Sequence, residues 1–225
     1  MKINVAIDGP AGSGKSSISK AVAKRLGFIY VDTGALYRAV GLKLLRQGIS
    51  ADDEQEVKEI LDKTSVNLKF IDGEQRVLLD GEDVSGQIRT PEASMMASKC
   101  SALPVVRAFL LQMQRDIAKN NPVIMDGRDI GTVVLPDAEV KIFMTASLEC
   151  RAKRRYKELL LKGQKVDYDD VLADMEKRDY DDSHRAAAPL KPSDDSVLAD
   201  TTELSLEESV ELIADIVNKA LNSYN

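Results

Sequence analysis

Two cysteines are too few for a disulfide framework, and Cys100 and Cys150 are not in a metal-ligand spacing. A reducing compartment, the cytoplasm, is therefore expected. The single histidine, His184, is given no catalytic role. No apolar run is long enough to cross a bilayer. Only a few apolar residues follow Met1-Lys2 before Asp8, which does not make a signal peptide. Positive charge is in deficit: 31 Lys and Arg against 37 Asp and Glu leave a net charge of −6. That balance argues against a protein that coats nucleic acid or an anionic membrane, while leaving room for a local basic pocket. Internal repeats and low-complexity segments are missing as well. What remains is a 225-residue chain, 44% hydrophobic and 30% charged, long enough to bury a sizeable core.

The most informative stretch lies near the start. Gly9-Pro10-Ala11-Gly12-Ser13-Gly14-Lys15-Ser16 fits the phosphate-loop pattern G-x-x-x-x-G-K-[ST] at every fixed position. Ile3, Val5 and Ile7 alternate as in a strand leading in, and Ile18, Val22 and Leu26 have the spacing of a helix leading out. Strand, glycine turn and helix start are what phosphate binding requires. Glycines let backbone N–H groups point inward, and the helix N-terminus adds unpaired donors. Lys15 can reach the β- and γ-phosphates, and the Ser16 hydroxyl can ligate Mg²⁺.

Further along, Gly27 closes the first helix and Phe28 to Val31 reads as a buried parallel strand. Asp32-Thr33-Gly34 leads into a helix with Tyr37 and Arg38 in its first turns. Arg38 sits just past a strand end, where ligands of parallel sheets bind. A short helix carries Val57, Ile60 and Leu61. Val66 to Ile71 and Gln75 to Leu79 then read as strands joined through Asp72-Gly73, a hairpin signal. This antiparallel block, about 64–85, interrupts an alternating β/α pattern. Helices are expected from Pro91 and from Pro104 to about Lys119. Pro122 to Asp126 is an apolar strand ending in an acid, the arrangement in which an Asp holds Mg²⁺ directly or through water. Ser147 to about Lys162 and Asp167 to His184 read as two sparsely packed helices, and Ser205 with Glu208 caps a last one. Strands at about 2–7, 28–31, 122–126, 139–144 and 197–200 alternate with helices. The expected fold is α/β, a five-stranded parallel sheet with helices on both faces, a small antiparallel insertion and a helical lid.

Arginines crowd the later helices. Arg151, Arg154 and Arg155 are at i, i+3, i+4, and Arg178, Asp182 and Arg185 share one helix face. Phosphoryl transfer needs several cations around the moving group, and two helices joined at Gly163 could close over a nucleotide.

With these stretches in view, the chain resembles the bacterial cytidylate (CMP) kinases, nucleoside monophosphate kinases of the P-loop fold, over almost its whole length. The matching runs are Ile7 to Ser16, Asp32-Thr33-Gly34-Ala35-Leu36-Tyr37-Arg38, Gly81 to Ser85, Ile88-Arg89-Thr90, Asp126 to Val134, and Asp181 to Arg185 before Ala188-Pro189-Leu190. The resemblance implies one P-loop kinase domain. Its core would cover about 1–35, 104–148 and 186–225, its nucleoside-monophosphate insert about 36–103 and its lid about 149–185. ATP would lie on Gly9 to Ser16 and Ser17, with Arg151 and Arg155. Thr33, Arg38, Arg128 and Arg185 would hold the CMP phosphate, Arg178 and Asp182 the ribose, and Ser98, Arg107 and Asp129 the cytosine. Lys15, Arg128, Arg185 and Arg154 would be catalytic; which lid arginine touches the transferred phosphate stays open. Mg²⁺ would come with ATP, held by Ser16 and Asp126. The implied partners are ATP and CMP or dCMP, with no nucleic acid or membrane, and the chain is expected to be a monomer.

Two other readings remain: a kinase for UMP or another monophosphate, and a nucleotide-dependent switch. The guanine-reading N-K-x-D of such switches is missing, since Asn218-Lys219 runs into Ala220-Leu221.

Overall fold

The structure, a computed structural model, describes residues 3–71 and 73–223. In chain order its elements are β1 (Asn4–Asp8), α1 (Lys15–Leu26), β2 (Ile29–Asp32), α2 (Thr33–Gln47), α3 (Glu54–Leu61), β3 (Val66–Ile71), β4 (Glu74–Leu79), β5 (Glu82–Asp83), α4 (Pro91–Cys100), α5 (Pro104–Asn120), β6 (Val123–Gly127), β7 (Val140–Thr145), α6 (Leu148–Leu161), α7 (Tyr168–His184), β8 (Val197–Asp200) and α8 (Leu206–Ser223). Five strands form a parallel sheet in the order β2-β6-β1-β7-β8, and β3-β4-β5 form a separate antiparallel sheet. The hairpin signal at Asp72-Gly73 and the first residue of the expected 2–7 strand involve Asp72 and Lys2, which lie outside the described residues.

Two compact units emerge: Met1–Phe28 with Ile124–Asn225, and Ile29–Val123. In the first, β1 pairs with β7 (Val5 opposite Val140, Asp8 opposite Phe143) and β7 with β8 (Thr145 opposite Asp200). The carboxyl ends of these strands therefore align, the edge at which parallel α/β sheets bind ligands. All of β1 beyond Asn4 is buried, so Ala6 is apolar between Val5 and Ile7, and the strand ends on the buried carboxyl group of Asp8. α1 and α8 pack together, with Arg25 bonded to Glu211 at 2.6 Å. α6 and α7 pair around a small cluster of their own, Ala152, Leu159, Val171 and Met175.

In the second unit one continuous core runs from α2 (Leu36, Val40, Leu44) through α3 (Val57, Leu61) and β4 (Val77, Leu79) to α5 (Val106, Leu110). Each such side chain removed from water contributes about 1.5–3 kcal/mol. No single helix among the described residues is long and apolar enough to cross a membrane.

Two local departures from the sequence reading have physical causes. The second strand begins at Ile29, not Phe28, because Phe28 donates its N–H to Ala23 O at 2.9 Å and so completes the C-cap of α1 beside left-handed Gly27. Ile130–Val134 forms a single π-helical turn that no periodicity announced. Its leading N–H groups are taken by Asp8, more than 120 residues earlier, so a local window cannot reveal it.

Candidate active site

β1 ends at Asp8 and the chain turns at once. A Cβ on Gly9 would lie 1.9 Å from the Met144 carbonyl oxygen of β7, so only glycine lets the loop start this close to the sheet. The loop ends at Gly14, with φ of 89°, and α1 opens on Lys15. Lys15 is buried, and its Nζ donates to Pro10 O at 2.7 Å and lies 3.4 Å from Ser13 Oγ. Burial, then the Arg128 and Arg178 cations, push its pKa well below the ordinary lysine value against the pull of Asp126 and Asp8. Ser16 Oγ donates to Asp126 Oδ2 at 2.8 Å, bringing the two residues expected to share Mg²⁺ together. Ser17 is exposed on the first turn of α1.

Asp126, Arg128 and Asp129 follow one another at the end of β6. Arg128 Nε donates to Asp182 Oδ2 at 2.7 Å. Burial works against the charge on Arg128, yet Asp182 and Asp126 hold its pKa above the ordinary value. Burial likewise opposes the Asp182 carboxylate, but Arg128, Arg178 and Arg185 outweigh it and keep its pKa below normal. Arg185 lies 3.6 Å from Asp129 and 3.9 Å from Asp182, and its Nε donates to Ala188 O at 2.8 Å. Ala188 has φ of 49°, a left-handed conformation that costs a non-glycine residue about 1 kcal/mol or more. The strain turns its carbonyl onto a charged side chain.

The three arginines of α6 separate clearly. Arg151 is buried, donating to Ala146 O at 2.8 Å, to Ala11 O at 3.1 Å and to Asp179 at 2.6 Å. Arg154 donates to Thr201 O at 2.7 Å and to Ser13 O at 3.3 Å. Arg155 instead pairs with Glu158 at 2.9 Å, partly in solvent. A cleft of about 370 Å³ opens beside Arg154, lined also by Cys150, Lys153, Lys157, Thr202 and Glu203.

The second unit holds the remaining expected residues. Asp32 caps α2, accepting from Ala35 N at 3.0 Å, and also accepts from Arg38 Nη2 at 2.8 Å. Thr33, buried, is the first residue of α2. A Cβ on Gly34 would come within 3.2 Å of both the Arg38 guanidinium and the Asp32 carboxylate, so glycine leaves that pair its room. Arg107 donates to Ser101 O at 3.1 Å and lies 5.7 Å from the Tyr37 ring centroid, a cation–π contact. Ser98, half-buried on α4, accepts from Ser101 Oγ through its carbonyl at 2.9 Å.

Sequence reasoning missed four residues that organise these groups. Asp8 accepts from Ile130 N at 2.8 Å and Gly131 N at 2.7 Å. Asp179 pairs with Arg151, and fully buried Thr201 offers its carbonyl to Arg154. Gln75 bonds the backbone of Asp32. Asp8 had a signal, an acid at a strand end against the phosphate loop; the other three had none.

Comparison with known proteins places the chain in a family. The family model described as cytidylate kinase matches residues 5–219. A Caldicellulosiruptor bescii protein named cytidylate kinase is 52% identical over 222 residues, covering 99% of this chain and 98% of that protein. A protein of that name from Caldanaerobacter subterraneus is 52% identical, covering 97% and 96%. Among solved structures, shikimate kinase from Bacteroides thetaiotaomicron shares the fold, with a TM-score of 0.50 at 12% identity, covering 96% of this chain and 98% of that one. The chain belongs to the cytidylate kinase family.

Proposed function

We propose that the chain moves the γ-phosphoryl group of ATP directly onto the phosphate of CMP or dCMP, with the residues around Lys15 serving the donor and the arginines serving the acceptor. As a family member it is a nucleotide-binding phosphotransferase that phosphorylates CMP. The observation that carries the residue assignment is the buried group around Lys15. Burial and neighbouring Arg128 and Arg178 make the ammonium costly to keep charged. A polyphosphate among these cations would offset that cost, and most strongly where charge accumulates during transfer.

The acceptor oxygen belongs to an ionised phosphate, so no general base is needed, in keeping with the absence of a role for His184. Arg128 and Arg185, fixed by Asp182 and Asp129, would orient the acceptor phosphate, together with Thr33 and Arg38. Arg178 and Asp182 would take the ribose, and Ser98, Arg107 and Asp129 the base. Arg154, tied to the loop at Ser13, is assigned to the transferred group. Arg151 would support the donor from Ala11, with Arg155 reaching it only on closure of about 149–185. The cleft beside Arg154 would receive the donor's base.

Mg²⁺ bound with ATP would neutralise β- and γ-phosphate charge. A serine hydroxyl and a carboxylate only 2.8 Å apart are hard oxygen donors that fit it, directly or through water. Among the described residues no three His, Cys, Asp or Glu cluster to hold a metal, so such an ion would depend on phosphate oxygens for most of its ligands. A reducing compartment such as the cytoplasm suits the two free thiols, Cys100 buried with its pKa pushed up to about 12.

A coupled ADP-release assay over a panel of monophosphates tests the reading. CMP and dCMP should accelerate turnover strongly and UMP weakly. Turnover that no monophosphate accelerates would overturn it.

A further inference from the structure

The Gln75 side chain makes a contact that packing alone does not require. Its Oε1 accepts from the Asp32 backbone N–H at 2.8 Å, and its Nε2 donates to the Asp32 carbonyl at 3.2 Å. A carboxamide carries the same donor and acceptor as a peptide group, so Gln75 acts as one added rung at the end of β2. Asp32 then spends its carboxylate on two further partners. One oxygen accepts from Ala35 N and fixes the start of α2, and the other accepts from Arg38 Nη2. The Asp32 and Arg38 side chains are only 12% and 20% exposed, so little water competes for these bonds. One chain of hydrogen bonds thus runs from the β3–β4 hairpin, where Gln75 lies opposite Phe70, to the guanidinium of Arg38.

We propose that Gln75 is a positioning residue for the acceptor: through Asp32 it holds Thr33 and Arg38 where they grip the phosphate of the nucleoside monophosphate. This rests on the reading above that Thr33 and Arg38 contact that phosphate. The hairpin is thereby part of acceptor affinity without touching the nucleotide. Losing the amide takes the Gln75 acceptor from the Asp32 N–H and one donor from its carbonyl, which still caps α2, and the cap and the arginine drift with them. Such loss of placement weakens acceptor binding, while donor binding, served by other residues, stays as it was.

The test is steady-state kinetics on the full chain with Gln75→Leu, Arg38→Ala and the double variant, each checked for folding by thermal unfolding. In Gln75→Leu the KM for CMP should rise about tenfold, with kcat and the KM for ATP changed less than about twofold. On the Arg38→Ala background the same substitution should add much less, because both act through one chain of contacts. Should Gln75→Leu unfold, Gln75→Met, of equal length and without the hydrogen bonds, carries the same comparison. An unchanged KM for CMP, equal losses for both substrates, or full additivity with Arg38→Ala would overturn the inference while leaving the function intact. A KM for CMP indifferent to Arg38→Ala would instead overturn the phosphate assignment on which it stands.

Discussion

Asp8 should make the protein less stable as the solution turns from acid to neutral. Asp8 is only 5% exposed, and burial pushes its pKa from 3.8 up to about 6, with the Asp129 charge adding to the rise and the N–H groups of Gly131 and Ile130 holding it back. The folded protein therefore binds this proton more tightly than the unfolded chain does. As pH climbs from about 4 to above 6, the unfolded chain ionises first, and the fold loses about 2–3 kcal/mol at this one residue. Asp8→Asn keeps the shape and removes the titration. Its amide offers one acceptor where two N–H groups need one, at a cost of about 1–3 kcal/mol that does not vary with pH.

The readout is the difference in unfolding free energy between wild type and Asp8→Asn, from urea melts at several pH values in the ligand-free protein. Circular dichroism suits a chain without tryptophan. Other acids, such as Asp182 with its lowered pKa, titrate alike in both proteins and cancel in the difference. The wild-type advantage should shrink by about 2–3 kcal/mol between about pH 4 and pH 7.5. A difference that stays flat, or grows with pH, would refute the picture of Asp8 as a charge kept in the core at a cost in stability.

Lys15→Ala should reduce kcat by roughly 10²-fold or more with no loss in thermal stability, since the removed ammonium is itself poorly solvated; near-normal turnover in a folded variant would sink the loop assignment. Arg154→Ala, severing contacts to Ser13 and Thr201, should lower kcat at least tenfold more than Arg155→Ala, whose pair with Glu158 is worth about 0–1 kcal/mol and whose reach to the donor comes only with closure; a comparison of the two by single-turnover kinetics decides it. On the proposed assignment of Asp129 to the base, a buried carboxylate there would accept from the cytosine amino group and repel the uracil oxygen, so CMP should exceed UMP in kcat/KM by roughly 10⁴-fold; Asp129→Ala should lose CMP activity and narrow the ratio, and an unaltered ratio would show the base is read elsewhere.

How much of this was legible beforehand depends on how far each partner lies along the chain. The phosphate loop could be read because strand, glycines, lysine and helix start fall within one short window. Asp126 could be read because a buried strand ending in an acid is also local. Arg154 and Arg155 could not be told apart. They are adjacent on one helix, and what separates them is the Thr201 carbonyl after β8 on one side and Glu158 on the other. The same holds for Arg151, whose role depends on Asp179, and for Arg128, which takes its orientation from Asp182, 54 residues away. In each case the sequence names the cation and the fold names the acid or carbonyl that aims it. An arginine without such a partner loses side-chain entropy each time it must find the phosphate, whereas one held by a carboxylate has already lost it on folding. On the proposed reading, the acids that seemed to be bystanders of the arginines are what would convert charge into placement, and Gln75 would extend the same logic one step further, from the acid to the backbone that carries it.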